Sequence, residues 1–138
     1  MTEIIIFTDG GARGNPGPAA LGVFITNKEN KVLAKMGKYL GETTNNIAEY
    51  SAIVEALKWS IENKKKEQIG KIFFNMDSLL AYSQLVGLYK IKNEKIREMV
   101  FEIKKMEVEL AIPIYYKHIP REKNKQADAM VNFALDNR

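Results

Sequence analysis

The chain has 138 residues, 46% hydrophobic and 28% charged, which is ordinary globular composition with room for one domain spanning residues 1–138. It contains no cysteine, which excludes disulfides, a thiolate nucleophile and a zinc–thiolate site, and fits a reducing, cytoplasmic location. Its 21 basic and 17 acidic residues leave a formal charge of +4, a mild bias toward a polyanionic partner. Met1-Thr2-Glu3 has no basic flank and the apolar run behind it stops at Asp9, so no secretory leader is expected. No apolar stretch is long enough to span a bilayer, so no membrane partner is expected either.

The first forty residues read as three strands. These are Ile4 to Thr8, then Ala20 to Ile25 after a Pro/Gly turn, then Val32 to Tyr39 beyond the polar turn Asn27-Lys28-Glu29-Asn30. Short connections between consecutive strands make an antiparallel meander. From Ile47 the period changes: Ile47, Tyr50, Ile53, Val54, Leu57 and Ile61 share one helical face, and Glu55, Lys58 and Glu62 the other. That helix ends in Asn63-Lys64-Lys65-Lys66. A fourth strand, Lys71 to Met76, runs into Asp77 and a short helix through Leu79, Leu80 and Leu85, which Gly87 breaks. A strand, a helix and a strand of these lengths form a crossover unit, which sets strand four parallel to strand one. An amphipathic helix from about Glu94 to Val108, a strand from Ile112 to Ile119 and a last helix from about Asn124 complete a mixed five-stranded α/β sheet with helices packed on it.

In this scheme Asp9 and Asp77 close neighbouring parallel strands and emerge side by side at one carboxyl edge, where open α/β sheets place their sites. Glu49 and Asp128 each lie one turn into a helix, within reach of that edge. Four hard oxygen ligands without histidine or cysteine suit Mg²⁺ or Mn²⁺, and a pair of such ions could serve both the attacking and the leaving oxygen of a phosphodiester. Each carboxylate also has a plain structural explanation. Asp77 before Ser78-Leu79-Leu80 is a good helix N-cap. Glu49, three residues after Asn46, has nearly capping-box spacing. Asp128 could be a favourable anion near a helix N-terminus, and Asp9 before Gly10-Gly11 a turn residue.

The surroundings of all four match one family together. Thr8-Asp9-Gly10-Gly11-Ala12-Arg13-Gly14-Asn15-Pro16-Gly17, Thr43-Thr44-Asn45-Asn46-Ile47-Ala48-Glu49-Tyr50, Asp77-Ser78, Gly87 to Asn93 and Pro120 to Asp128 occur in family order and spacing, and on them the chain resembles type 1 ribonuclease H along essentially its whole length. The resemblance implies a ribonuclease H-like sheet, three antiparallel strands followed by parallel ones. It also implies an endonuclease that hydrolyses the RNA strand of RNA–DNA hybrids with two Mg²⁺ ions, leaving 5′-phosphate and 3′-hydroxyl ends. Asp9, Glu49, Asp77 and Asp128 would be both catalytic residues and metal ligands. Gly11, Ala12, Asn15, Asn45 and Asn46 match minor-groove positions, Thr44 a position near a DNA-strand phosphate, and Lys90, Lys92, Arg121, Lys123 and Lys125 offer further phosphate contacts. Amide side chains suit a 2′-hydroxyl, which both donates and accepts. Asn45 and Asn46 as helix caps, and Asn15 as a turn residue before Pro16, are the competing readings. A monomer is expected, with double-stranded RNA as a second substrate to test.

The chain also departs from the family pattern. Leu88 to Asn93 makes a direct connection where many members carry a basic helical extension with tryptophan, which implies weaker hybrid affinity or reliance on Lys64, Lys65 and Lys66 or on a partner. Many members have a mobile histidine before the last carboxylate. The one histidine, His118, fits the alternation of the last strand, although an ungapped count back from Asp128 also reaches it; Arg121 or Glu122 could otherwise act near the leaving group. Leu79 stands where a polar substrate contact is common, Trp59 reads as packing, and Tyr89 could flank the DNA strand. A catalytically weak module that binds hybrid or double-stranded RNA is the alternative function, and another nuclease chemistry on the same fold a further one. A P-loop is excluded, because Gly10 to Gly17 lacks the Lys-Ser/Thr ending.

Overall fold

A computed structural model describes all residues, Met1–Arg138. The elements run β1 (Thr2–Ala12), β2 (Gly17–Asn27), β3 (Val32–Thr43), α1 (Asn45–Asn63), β4 (Ile69–Met76), α2 (Leu79–Leu85), α3 (Glu94–Leu110), β5 (Ile114–His118), a 3-10 turn (Arg121–Lys123) and α4 (Lys125–Asp136). One sheet holds all the strands in the order β3-β2-β1-β4-β5. The β1–β2 and β2–β3 pairs are antiparallel, and β1–β4 and β4–β5 parallel, as the connections require.

Ile4, Ile6 and Thr8 of β1 and Ile72, Phe74 and Met76 of β4 point to one face of the sheet and are fully buried there. Tyr50, Ile53 and Leu57 of α1 and Ile96, Ile103 and Met106 of α3 join them in the main core. Each large apolar side chain so buried contributes ~1.5–3 kcal/mol. Trp59 packs against the same core, as read from the sequence. The opposite face is covered at the β1–β3 end by α4, whose Val131, Ala134 and Leu135 pack on Ala20.

Strand bounds differ in one way that matters. The sequence reading ended β1 at Asp9, but only its pairing with β4 stops there, at Thr8–Met76; β1 continues along β2 through Gly10–Leu21 and Gly11–Ala20 to Ala12–Ala19. Asp9 therefore sits inside a strand, on backbone held by β2, at the point where β4 leaves the ladder. The glycine-rich segment supplies this paired extension before it supplies a turn.

Gly10, Gly22 and Gly37, the last beneath the Met130 carbonyl, allow helices to approach the sheet closely. A Cβ at Gly10 would fall on the backbone of Ala48 and Glu49, and a Cβ at Gly22 on the carbonyl of Ala127. On the helix side, Ala48, Ala52 and Ala56 form a small-residue stripe at four-residue spacing and are fully buried. Gly22→Ala is expected to cost about 1–3 kcal/mol of stability, because backbone must move to admit the methyl group. At Gly11 a Cβ meets only Val131 Cγ1 at 3.5 Å. Gly11→Ala should accordingly change stability by less than about 1 kcal/mol when both variants are compared with the native chain by urea titration.

Candidate active site

The carboxyl edge of β1 and β4 opens into a cleft of about 480 Å³ lined mostly by polar groups. Asp9 reaches it from β1, Glu49 from one turn into α1 above Gly10, and Asp77 from the residue after β4. Carboxylate oxygens of these three lie within 4.8 Å of one another. Asp9 and Glu49 are each only 8% exposed. Asp128, on the first turn of α4, lines the cleft and adds its charge to the field at Asp9, but stands outside that close trio.

Packing these groups together is electrostatically costly. Burial, followed by the charges of Asp77 and Asp128, pushes the Asp9 carboxyl up to about 7. Burial and then the charges of Asp9 and Asp77 hold Glu49 well above the usual carboxylate range. The two carboxyls are within hydrogen-bonding reach of each other. Hard, partly dehydrated oxygen donors in excess of any cation nearby fit a divalent ion of the Mg²⁺ or Mn²⁺ type.

The capping explanations for these residues do not describe this fold. Ser78, not Asp77, caps α2, accepting from the Ala81 amide at 3.1 Å. Thr44 caps α1, accepting from the Ile47 amide at 3.2 Å, and lies outside the cleft lining. Asn45 and Asn15 instead tie the β1–β2 connection to the start of α1. Asn45 Oδ1 accepts from the Ala12 amide at 2.8 Å and Asn15 Oδ1 from the Asn45 amide at 3.0 Å. Both donors are backbone N–H groups, so the oxygens must face them and both Nδ2 groups are left for other partners. Gly11, Ala12, Asn15, Asn45, Asn46 and Arg121 all line the cleft with the carboxylates.

Asn124 is the residue whose importance the sequence reading missed. It is 1% exposed, although it looks like a helix cap, and its side chain caps nothing in α4. Its Nδ2 donates to Asp77 Oδ2 at 2.9 Å and to the Thr8 carbonyl at 2.8 Å, fixing one carboxylate to the strand that carries another. The only advance signal was an amide four residues before Asp128 in a turn otherwise made of charged residues. His118 ends β5 opposite Met76, is exposed, and places Nε2 3.2 Å from the Asp77 carbonyl oxygen. Among the lysines offered as substitutes for the missing extension, Lys64 is engaged, donating to the Leu110 carbonyl at 2.5 Å. Leu79 and Tyr89 are about half exposed, at 53% and 50%.

The raised Asp9 pKa has a consequence for stability. A carboxyl near 3.9 in the unfolded chain and near 7 in the folded one binds its proton more tightly when folded. Its contribution is fully present below pH ~4 and is lost as pH rises through about 7. In EDTA, Asp9→Asn should therefore unfold at higher temperature than the native chain at pH 7.5, with the gap closing toward pH 4. Parallel melting curves across that range would contradict this electrostatic picture.

Comparison with known proteins agrees with this geometry. Residues 7–134 match the family model described as reverse transcriptase-like. LC11-RNase H1, isolated from compost by a metagenomic approach, is 43% identical and superimposes with a TM-score of 0.90 over 99% of this chain and 98% of its own. A crystal structure of that protein in complex with RNA/DNA hybrid gives 0.91 over 97% of both chains. RNase H1 of the halophilic archaeon Halobacterium salinarum is 31% identical, with a TM-score of 0.89 over 99% of each chain. The bifunctional protein Rv2228c of Mycobacterium tuberculosis is 32% identical over 97% of this chain, which spans 36% of that protein's length. No helix here is long and apolar enough to cross a membrane. With 43% identity and a TM-score of 0.90 to an RNase H1 over nearly the whole of both chains, and the same five-stranded mixed sheet, the chain belongs to the type 1 ribonuclease H family.

Proposed function

We propose that this protein is an endonuclease that hydrolyses the RNA strand of RNA–DNA hybrids. The observation that carries the reading is the convergence of Asp9, Glu49 and Asp77 within 4.8 Å, in a cleft also lined by Asp128. These four side chains would hold two Mg²⁺ ions, with Mn²⁺ as a substitute. Bound there, divalent ions supply positive charge that activates water and stabilises the leaving oxygen, so that the products carry 5′-phosphate and 3′-hydroxyl ends.

The protein's own groups prepare that site and choose the strand. Asn124 keeps Asp77 turned toward Asp9, which limits the reorganisation needed when cations and substrate enter. The Nδ2 groups of Asn15 and Asn45, with Asn46 beside them, can donate to a 2′-hydroxyl in the minor groove. Arg121 at the cleft wall, and Thr44 at the start of α1, would make phosphate contacts. His118 is exposed at the same edge, with Nε2 3.2 Å from the Asp77 carbonyl oxygen, whereas Glu122 lines a separate hollow over Ile5, Phe7 and Phe24. The absence of cysteine fits action in the cytoplasm.

End-labelled RNA–DNA hybrid, double-stranded RNA and double-stranded DNA incubated with Mg²⁺ or Mn²⁺ test this directly. The native chain should cut the RNA of the hybrid, leave double-stranded DNA intact and stop on addition of EDTA. Asp9→Asn and Asp77→Asn should each lose more than about 100-fold in rate, and Asn124→Ala about 10–100-fold with partial recovery at higher metal concentration. Hybrid binding without cleavage by the native chain would replace this reading with that of a binding module.

A further inference from the structure

The face of the sheet opposite α1 is covered by α4 only at the β1–β3 end, and what remains is an aromatic platform. Successive cross-strand neighbours are Thr26, Ile5, Phe73 and Tyr115 in one row, and Lys35, Phe24, Phe7, Asn75 and Lys117 in the next. Phe73 is 36% and Tyr115 52% exposed, which is unusual for large rings in the middle of strands. Their rings stack with centroids 5.6 Å apart and planes 22° from parallel, and Phe7 and Phe24 form a second pair at 6.4 Å. Because β5 is an edge strand, no further strand shields the Tyr115 side of the pair.

Charge surrounds these rings. Lys71 Nζ lies 5.9 Å from the centroids of both Phe73 and Tyr115. Lys35 and Lys117 end the second row, and Lys123 and Lys125 line a hollow of about 340 Å³ over Ile5, Phe7 and Phe24. Two acidic side chains border the platform. Glu3 is neutralised by Lys28 at 2.9 Å and by Lys71 at 3.6 Å, and Glu122 shares the hollow with the two lysines. The Asn75 amide is already donating to the Ile6 carbonyl at 3.2 Å and Thr26 is buried, so little on the platform could read a base edge or a 2′-hydroxyl.

Exposed rings on a sheet with lysines about them, and few free hydrogen-bonding groups between, suit unpaired bases that stack while their phosphates meet the cations. We propose that this bare sheet face is a second nucleic-acid site, one that holds single-stranded DNA without sequence preference through Phe73 and Tyr115 and the lysines beside them. A duplex, whose bases are already stacked on each other, gains only the charge contacts. The proposal does not depend on the cleavage reading, since it uses none of the carboxyl-edge residues.

Fluorescence anisotropy of a labelled 15-nucleotide oligo-dT, measured in EDTA with unlabelled duplex DNA as competitor, tests it. Binding in the roughly 1–100 µM range is expected, poorly competed by duplex. Tyr115→Ala and Phe73→Ala should each weaken it at least fivefold with thermal unfolding still cooperative. Lys117→Gln should lower the slope of log Kd against log salt by about 0.7. Should Phe73→Ala fail to fold, the exposed positions Tyr115 and Lys117 decide the matter alone. Absence of oligo-dT binding, or equal affinity in folded Tyr115→Ala and Lys117→Gln, overturns the proposal. So does a concentration-dependent dimer in sedimentation that Tyr115→Ala abolishes, because the face would then belong to a second copy of the chain.

Discussion

The site depends on one close contact, that between the β1 backbone at Gly10 and the α1 backbone at Ala48 and Glu49. With no side chain at Gly10 and an alanine stripe on α1, the helix settles on the sheet nearer than larger residues would allow. The Glu49 carboxyl is thereby pressed against that of Asp9, with each group only 8% exposed. A second contact, Gly22 against Ala127, does the same for α4 and brings Asp128 to the cleft. The acidic cluster is in this sense a product of backbone packing: hydrophobic burial elsewhere drives helices and sheet together, and the glycines decide that carboxylates meet where they do.

Such an arrangement is poor for the stability of the metal-free fold and useful for binding. Dehydrated carboxylates repel each other and take up protons that they would otherwise release near pH 4, as the upward displacement of Asp9 and Glu49 shows. A rigid frame is needed to keep them from swinging apart. Asn124 contributes by bonding to Asp77 and to the Thr8 carbonyl, and the Asn15–Asn45–Ala12 hydrogen bonds lock the β1–β2 connection onto the start of α1. These groups raise no charge of their own, so they hold the acidic side chains without competing for a cation.

The order and pairing of the elements were legible because periodicity changes sharply along this chain. Alternating strands give way to a helical face at Ile47, and short connections in the first forty residues force antiparallel neighbours. The candidate carboxylates were legible from motif context. Less visible was anything set by contacts distant in sequence. The extension of β1 past Asp9 depends on β2 continuing beyond β4, which no local pattern in Thr8 to Ala12 reveals. The reading of α1 picked out its large apolar residues and passed over Ala48, Ala52 and Ala56, whose small size is what positions Glu49. Asn124 reads only as the start of the last helix; its side-chain partners are 47 and 116 residues away. Lys64 was offered as a grip on a hybrid and instead satisfies the last carbonyl of α3.

The central claim is that the strained trio of Asp9, Glu49 and Asp77 is completed by divalent cations. Thermal unfolding at pH 7.5 with increasing Mg²⁺, for the native chain and for Asp9→Asn, tests it most directly. A cation that binds only the folded site should raise stability by about 2.7 kcal/mol at a hundred times its Kd, and the variant should gain far less. Equal gains in both proteins, or none in either, would contradict the account.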